Sequence, residues 1–408
     1  MFKYFKGRIS QGFISLYYGR MILRISGGLL NLFMPIFLYE LFDFNIKFVI
    51  YYYLAGHLLY AFTVAWGAQY LNKIGLRRSL RISVILGAIY YIVFYFIDKF
   101  SFNGVFAFSF DSKILWLVIL SIIVITPHRI MWWLPCHTDM AKFTNKRNRG
   151  KQLSLLEATT MALGTIGPIA AGWILTRYNY DVLFLIAIII YFISLIPFSG
   201  LPKTRERFSW TYLRTWQEFF SKRRRRAVMA FVGNGAEDAV GLIIWPIFIY
   251  SLLNGKYFEI GALSTLIVAV TILLQLAMGK YADIGAKGKM IKISTFLYAT
   301  GWAIKIFIAT AFQIFIASAY HNLTKIFSRT PFDALTYEKA ADQGHYVDEF
   351  TVIHEIAIQL GKSAMLFFVL LVLMFFSIQW AFLLAAVASL AMNFLVDEEV
   401  IEQGRHAG

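Results

Sequence analysis

Ionisable side chains occur in this chain within or at the edge of long apolar runs, where a water-soluble protein would not place them. Arg24, His57, Arg129, His137, Glu157, Glu237, Asp238, Lys325, Asp333, Glu355 and Lys362 are the set. Carboxylates and imidazoles beside Lys or Arg are the groups that take up and release protons or hold a charged solute. In hydrocarbon each costs about 3 kcal/mol or more, so each must face a partner or a cavity. Several recur in matched places. Arg129 precedes Pro135 as Lys325 precedes Pro331, His137 then corresponds to Asp333, and Glu157 to Glu355. At a rise of about 1.5 Å per residue, Arg129 and Glu157 fall at similar depth on consecutive antiparallel helices, within reach directly or through His137. Lys325 stands likewise to Glu355. The spacing predicts two related polar clusters, one per half of the chain, which either relay protons or pair charges to hold two helices together. Glu237 and Asp238 are adjacent, so one of them is expected to face a central cavity, with Arg24 at a similar depth. His57 is either a titrating group or a packing residue. Lys305, near the end of its run, is expected to snorkel to the surface.

These groups need rigid elements to hold them. The chain has 408 residues, 59% hydrophobic and only 15% charged, against about 25% charged in soluble domains. Apolar blocks of about 20 residues, the length that crosses a bilayer as a helix, alternate with polar breaks. Continuous rather than alternating apolarity argues for helices over a barrel. The pattern predicts an all-α membrane protein with twelve spans at roughly 16–41, 46–71, 79–98, 114–140, 152–177, 181–199, 227–253, 256–281, 289–308, 310–335, 347–374 and 377–396. The expected domains are a six-helix bundle over 1–199, a basic amphipathic linker over 200–226, a second bundle over 227–396 and a tail over 397–408. The net charge of +16 tempts one toward nucleic acid, but most Lys and Arg fall in loops on one side. That is the positive-inside bias, and it places both termini in the cytoplasm. Arginines and aromatics are interleaved in the linker, which suits the surface of anionic lipids at 203–226. The single Cys136 excludes an internal disulfide. There is no phosphate loop, dinucleotide fingerprint or metal-spaced His/Cys set, so no cofactor or metal is expected, and no enzyme activity.

The chain also repeats itself. An offset of 211 residues carries Ala68 onto Gly279, Asn72 onto Asp283, Arg78 onto Lys289, Pro35 onto Pro246 and Tyr39 onto Tyr250. One unit used twice is the simplest account.

The two loops, Ala68 to Arg78 with Asn72, Gly75, Arg77 and Arg78, and Gly279 to Lys289 with Asp283, resemble the Gly-x-x-x-Asp-Arg-x-Gly-x-Arg-Arg signature of the major facilitator superfamily. The first copy has Ala68 for Gly and Asn72 for Asp; the second has Ile284 where the family has Arg. The resemblance implies two pseudo-symmetric six-helix bundles and loops that latch neighbouring helices in one conformational state. Ile125 and Arg129 match the start of a family exporter motif in which the Arg is tied to proton movement, with Trp132 and Trp133 replacing its Gln and Gly. Gly164, Gly167, Pro168 and Gly172 resemble a glycine-rich element of family antiporters, and fit a generic close-packing seam equally well.

Together these features predict a monomeric secondary transporter in a prokaryotic inner membrane, moving a small organic solute by alternating access. Protons are the expected coupling ion, with a lean toward antiport. Trp132 and Trp133 are expected to line the cavity with other aromatics. Two alternatives stand beside this: a proton–solute symporter, and a non-transporting sensor or scaffold built on the same bundle.

Overall fold

A computed structural model of the chain describes residues 10–102, 112–143, 149–203, 208–278, 287–341 and 347–395. Among these residues all regular structure is helical: α1 (Gln11–Leu30), α2 (Met34–Leu41), α3 (Ile46–Ile74), α4 (Leu76–Phe102), α5 (Ser112–Phe143), α6 (Arg149–Arg177), α7 (Tyr180–Ser199), α8 (Tyr212–Phe219), α9 (Arg225–Ala239), α10 (Trp245–Leu252), α11 (Tyr257–Met278), α12 (Lys287–Ile304), α13 (Ala311–Ala341), α14 (Val347–Val372) and α15 (Ala381–Leu390). Nine described helices are long and apolar enough to cross a membrane, or ten if the bent pair α1 and α2 makes one span. Two of the twelve expected spans, 289–308 and 310–335, do not pass that test. They form α12 and α13.

The chain folds as two compact units. Unit 1 takes in α1, α2, α3 from Thr63 onward, α4 to α7, and the first turns of α11, Tyr257–Thr265. Its core joins Phe13, Leu16, Tyr17 and Met21 of α1 to Leu80 and Val84 of α4, Cys136 of α5, Leu156 of α6 and Phe198 of α7. Small residues set the closest approaches. A Cβ on Gly167 of α6 would collide with the backbone of Gly28 on α1, and one on Gly172 with the carbonyl of Tyr257. Glycine is what lets these backbones touch. Pro168 has no N–H to give the Gly164 carbonyl. One step further along, the hydroxyl of Thr265 bridges the ladder: it accepts from Ile169 N at 3.1 Å and donates to Thr165 O at 2.8 Å.

Unit 2 takes in α3 up to Phe62, α8 to α10, α11 from Leu266, and α12 to α15. Here α9 packs tightly on α14. Cβ atoms on Gly235 and Gly361 would strike the backbones of Ile358 and Val232 respectively. A one-turn π-helix, Val240–Ile244, joins α9 to α10, immediately after the acidic pair Glu237-Asp238.

The offset of 211 recurs in the backbone. α2 and α10 start and end at residues related by it, each with Pro in the first turn. Both stop in a left-handed pair, Asp43 (φ 53°) and Phe44 (φ 57°) in one, Asn254 (φ 52°) and Gly255 (φ 72°) in the other. The bonds match as well: Phe44 N to Tyr39 O answers Gly255 N to Tyr250 O, and Asp43 N to Glu40 O answers Asn254 N to Ser251 O. Phe44 is a bulky residue in a conformation that favours glycine. Its copy at the equivalent position is glycine. The segments of α3 and α11 that change units also begin at equivalent residues, Ile46 and Tyr257.

Candidate functional site

In unit 2 a network of charges lies between α9, α12, α13 and α14. Glu237 of α9 is fully buried. Its Oε1 accepts the hydroxyl of Tyr298 on α12 and lies 3.7 Å from Lys325 Nζ on α13. Its Oε2 has no hydrogen-bond partner among the described residues. One residue on, Asp238 Oδ2 lies 3.7 Å from Nη2 of Arg329 on α13. Arg329 Nε reaches Asp333 Oδ1 at 3.2 Å, and its Nη1 donates to Asn234 Oδ1. Asp238 is also within electrostatic reach of Lys362 and His354 on α14.

The helices explain the arrangement. Lys325, Arg329 and Asp333 form an i, i+4, i+8 stripe on α13, and the acids Glu237 and Asp238 of α9 face its two cations. Pairing offsets part of the cost of burying an acid and a cation, and loss of one partner leaves the other uncompensated. The exposure is graded: Glu237 is 0% exposed, while the side chains of Lys325 and Asp333 are 37% and 49% exposed. A group open to solvent on one side and a sealed carboxylate on the other is an arrangement able to pass a proton or to hold a solute charge.

A second polar pair lies between the first half of α3 and α14, also within unit 2. His57 Nδ1 meets Gln359 Oε1 at 2.7 Å, and the buried hydroxyl of Tyr60 donates to Glu355 Oε2 at 2.9 Å. Lys325 therefore meets Glu237 rather than the expected Glu355. Lys305 does not snorkel: it is 2% exposed, held between the rings of Trp245 and Trp302.

In unit 1, Arg24 packs over Gly164 of α6, where a Cβ would lie 3.3 Å from its Nη2. Arg129 is half-buried on α5 beside His128. His128 is bound to the Ser83 carbonyl and hydroxyl at 2.7 and 3.2 Å. Trp132 sits edge-on against Phe198 in the core, while Trp133 is 38% exposed. The side chains of His137, Glu157 and Lys289 are outside the described residues, as are Gly279 and Asp283. The Arg129–Glu157 pair is therefore not described.

The first signature loop is built for contact. Gly75 takes φ 76° and caps α3, with its N–H on Leu71 O. Ala68 is buried and Arg78 exposed. Asn72 is bonded twice to the backbone of Phe208: Nδ2 donates at 2.8 Å and Oδ1 accepts at 2.9 Å. Arg77 donates to Leu201 O at 3.2 Å, and Arg81 to Phe198 O and Ser199 O at 3.4 and 2.7 Å. Cations thus satisfy the free carbonyls at the end of α7.

Arg329, Tyr298, Tyr60 and Gln359 were not singled out from the sequence. A search for partners one turn from Lys325 would have found Arg329. The other three depend on which helices meet.

Fold and site together define a polytopic helical membrane protein with a buried charge network. Residues 131–236, about a quarter of the chain, match the family model of the Major Facilitator Superfamily, which supports membership of that superfamily and with it the function of a secondary transporter. No curated protein matches the chain.

Proposed function

We propose that this protein carries a small organic solute across the membrane by alternating access, in exchange for protons, with Glu237 as the proton-carrying acid. The observation behind this reading is the sealed Glu237 beside the half-open Lys325. A carboxylate in that place is stable when paired with the cation, or when protonated. A solute that draws Lys325 away would favour protonation, and proton loss would restore the pair. Asp238, Arg329, Asp333 and Lys362 would hold the solute's polar groups, with Glu355 and His57 on the neighbouring pair as further stations.

The same reading counts twelve spans, adding the polar α12 and α13 to the ten apolar ones, as two six-helix repeats. It places both termini in the cytoplasm of a prokaryotic inner membrane. The linker fits a docking strip for anionic lipid headgroups. Leu213 of α8 and Phe220, just past its end, are 72% and 74% exposed, while Arg214 and Arg224 lie 5.8 and 5.3 Å over the Trp210 ring.

The test is proteoliposomes carrying an internal pH-sensitive dye, offered a panel of organic cations, anions and sugars. Wild type should move protons against a solute, and Glu237→Gln, at equal folded amount, should do so at least tenfold more slowly. Protons travelling with the solute would make it a symporter. Undiminished proton movement in Glu237→Gln would refute the assignment, and no solute-dependent flux under any gradient would favour a scaffold.

A further inference from the structure

Behind Glu237 the interior of unit 2 holds a line of polar groups that the charge network does not use. Tyr298, which donates to Glu237, lies 4.7 Å from His321 of α13, ring to ring. His321 lies 4.5 Å from Trp302 of α12. Lys305 also packs on Trp302, its Nζ 4.0 Å from the Trp302 ring and 4.1 Å from that of Trp245. Lys305, His321, Trp302 and Glu237 are 2%, 4%, 1% and 0% exposed. His321 Nδ1, Trp302 Nε1 and Glu237 Oε2 have no hydrogen-bond partner among the described residues. Buried polar atoms are satisfied in the great majority of cases, so three exceptions along one line, in one bundle, need a reason. So does a buried ammonium held by ring faces and not by a carboxylate, since cation–π contact is worth only about 0.5–2 kcal/mol. Gly301 keeps the line open: a Cβ there would lie 3.1 Å from His321 Nδ1.

We propose that Lys305 is a proton-exchanging station for Glu237, joined to it through His321 inside unit 2. The proposal rests on Glu237 being the proton carrier. The ammonium of Lys305 gives a proton to one ring nitrogen of His321, and the ring releases one from its other nitrogen toward Glu237 Oε2. Lys305 ends as a neutral amine and Glu237 as a neutral acid, with no other reactant. The charged groups around the path are few. Lys305 feels Lys325 and Glu237, and His321 feels Lys305 and Lys325. Asp238 and Arg329 flank Glu237 and Tyr298. The turn Ile378–Trp380 and α15, which pack on Lys305, hold no titratable residue.

Lys305 carries its own reporter, because an ammonium over an indole alters its emission and an amine does so less. The purified full-length protein in detergent should show a step in tryptophan fluorescence across a pH titration. Lys305→Met should remove the step, and Glu237→Gln should move its midpoint by at least half a pH unit. Lys305→Arg, which keeps a cation that does not deprotonate, should be folded and flat, so loss of the step is not confused with loss of fold. A wild-type step that survives in Lys305→Arg, or a midpoint unmoved by Glu237→Gln, would overturn the proposal. Failure of proton-coupled transport with this step intact would instead remove the transport reading.

Discussion

Replacing Thr265 by Val should weaken unit 1 by about 1–2 kcal/mol, and the number follows from one hydroxyl. Pro168 opens α6, and the Thr265 side chain stands between Thr165 O and Ile169 N, donating at 2.8 Å and accepting at 3.1 Å. Valine has nearly the same shape and neither capacity. The change would orphan one carbonyl and one N–H in an apolar span. At about 1–3 kcal/mol for each such group, the upper bound is about 6 kcal/mol. Two effects lower it. Ile169 N–H can close directly onto Thr165 O if α6 straightens, and side-chain bonds between membrane helices measure about 0.6 kcal/mol on average, with a maximum near 1.7. Straightening has its own cost, since Pro168 O and Ile169 Cα already crowd Gly261 of α11. Reversible unfolding in mixed micelles of a denaturing and a mild detergent would read the difference. Thr265→Ser keeps the hydroxyl and should retain most of the stability. If Val matched wild type, or if Ser fell as far as Val, the hydroxyl would not be bridging the opened ladder.

Asn72→Asp, which restores the family residue, should be worse here than the native residue: a carboxylate cannot donate to Phe208 O and would face it with like polarity. Because Asn72 is exposed, the loss should be about 1 kcal/mol, read as a several-fold faster tryptic cleavage of the arginine-rich linker. Gly167→Leu should destabilise unit 1 by about 2 kcal/mol or more, since a side chain there meets the Gly28 backbone; the unfolding assay used for Thr265 measures it, and a neutral result would mean α1 and α6 can part without cost.

What the sequence revealed and what it hid divide along physical lines. Apolar runs of span length are local, and they mark α3 to α7, α11 and α14 well. α13 is predicted as a span in spite of its charges, and Lys325, Arg329 and Asp333 are among those the fold gathers. Asp238 and Arg329 show the limit. Each is visible as a charge in a helix, but their pairing depends on α9 and α13 facing each other in register, which no local pattern encodes. Lys305 shows the same from the other side. Near a helix end the inexpensive expectation is a cation reaching for water. Two indoles, one from α10 and one from α12, close over it instead.

The repeat is the feature on which sequence and backbone meet most closely, and it bears on mechanism. Two turns with the same left-handed pair and the same hydrogen bonds precede the two helices, α3 and α11, whose segments change units at equivalent residues. The weak sections of the spans lie upstream of these turns. α1 and α2 are bent by 41° across 31–33, and at the equivalent place α9 passes into α10 through a π-turn. Both precede a proline, which removes one bond from the ladder. Each is a weakened section of span between two well-bonded ones. In the second repeat that section begins two residues after Asp238. A change in charge at Glu237 or Asp238 would therefore act beside the least-bonded turn of its span, where a shift in packing meets the least resistance.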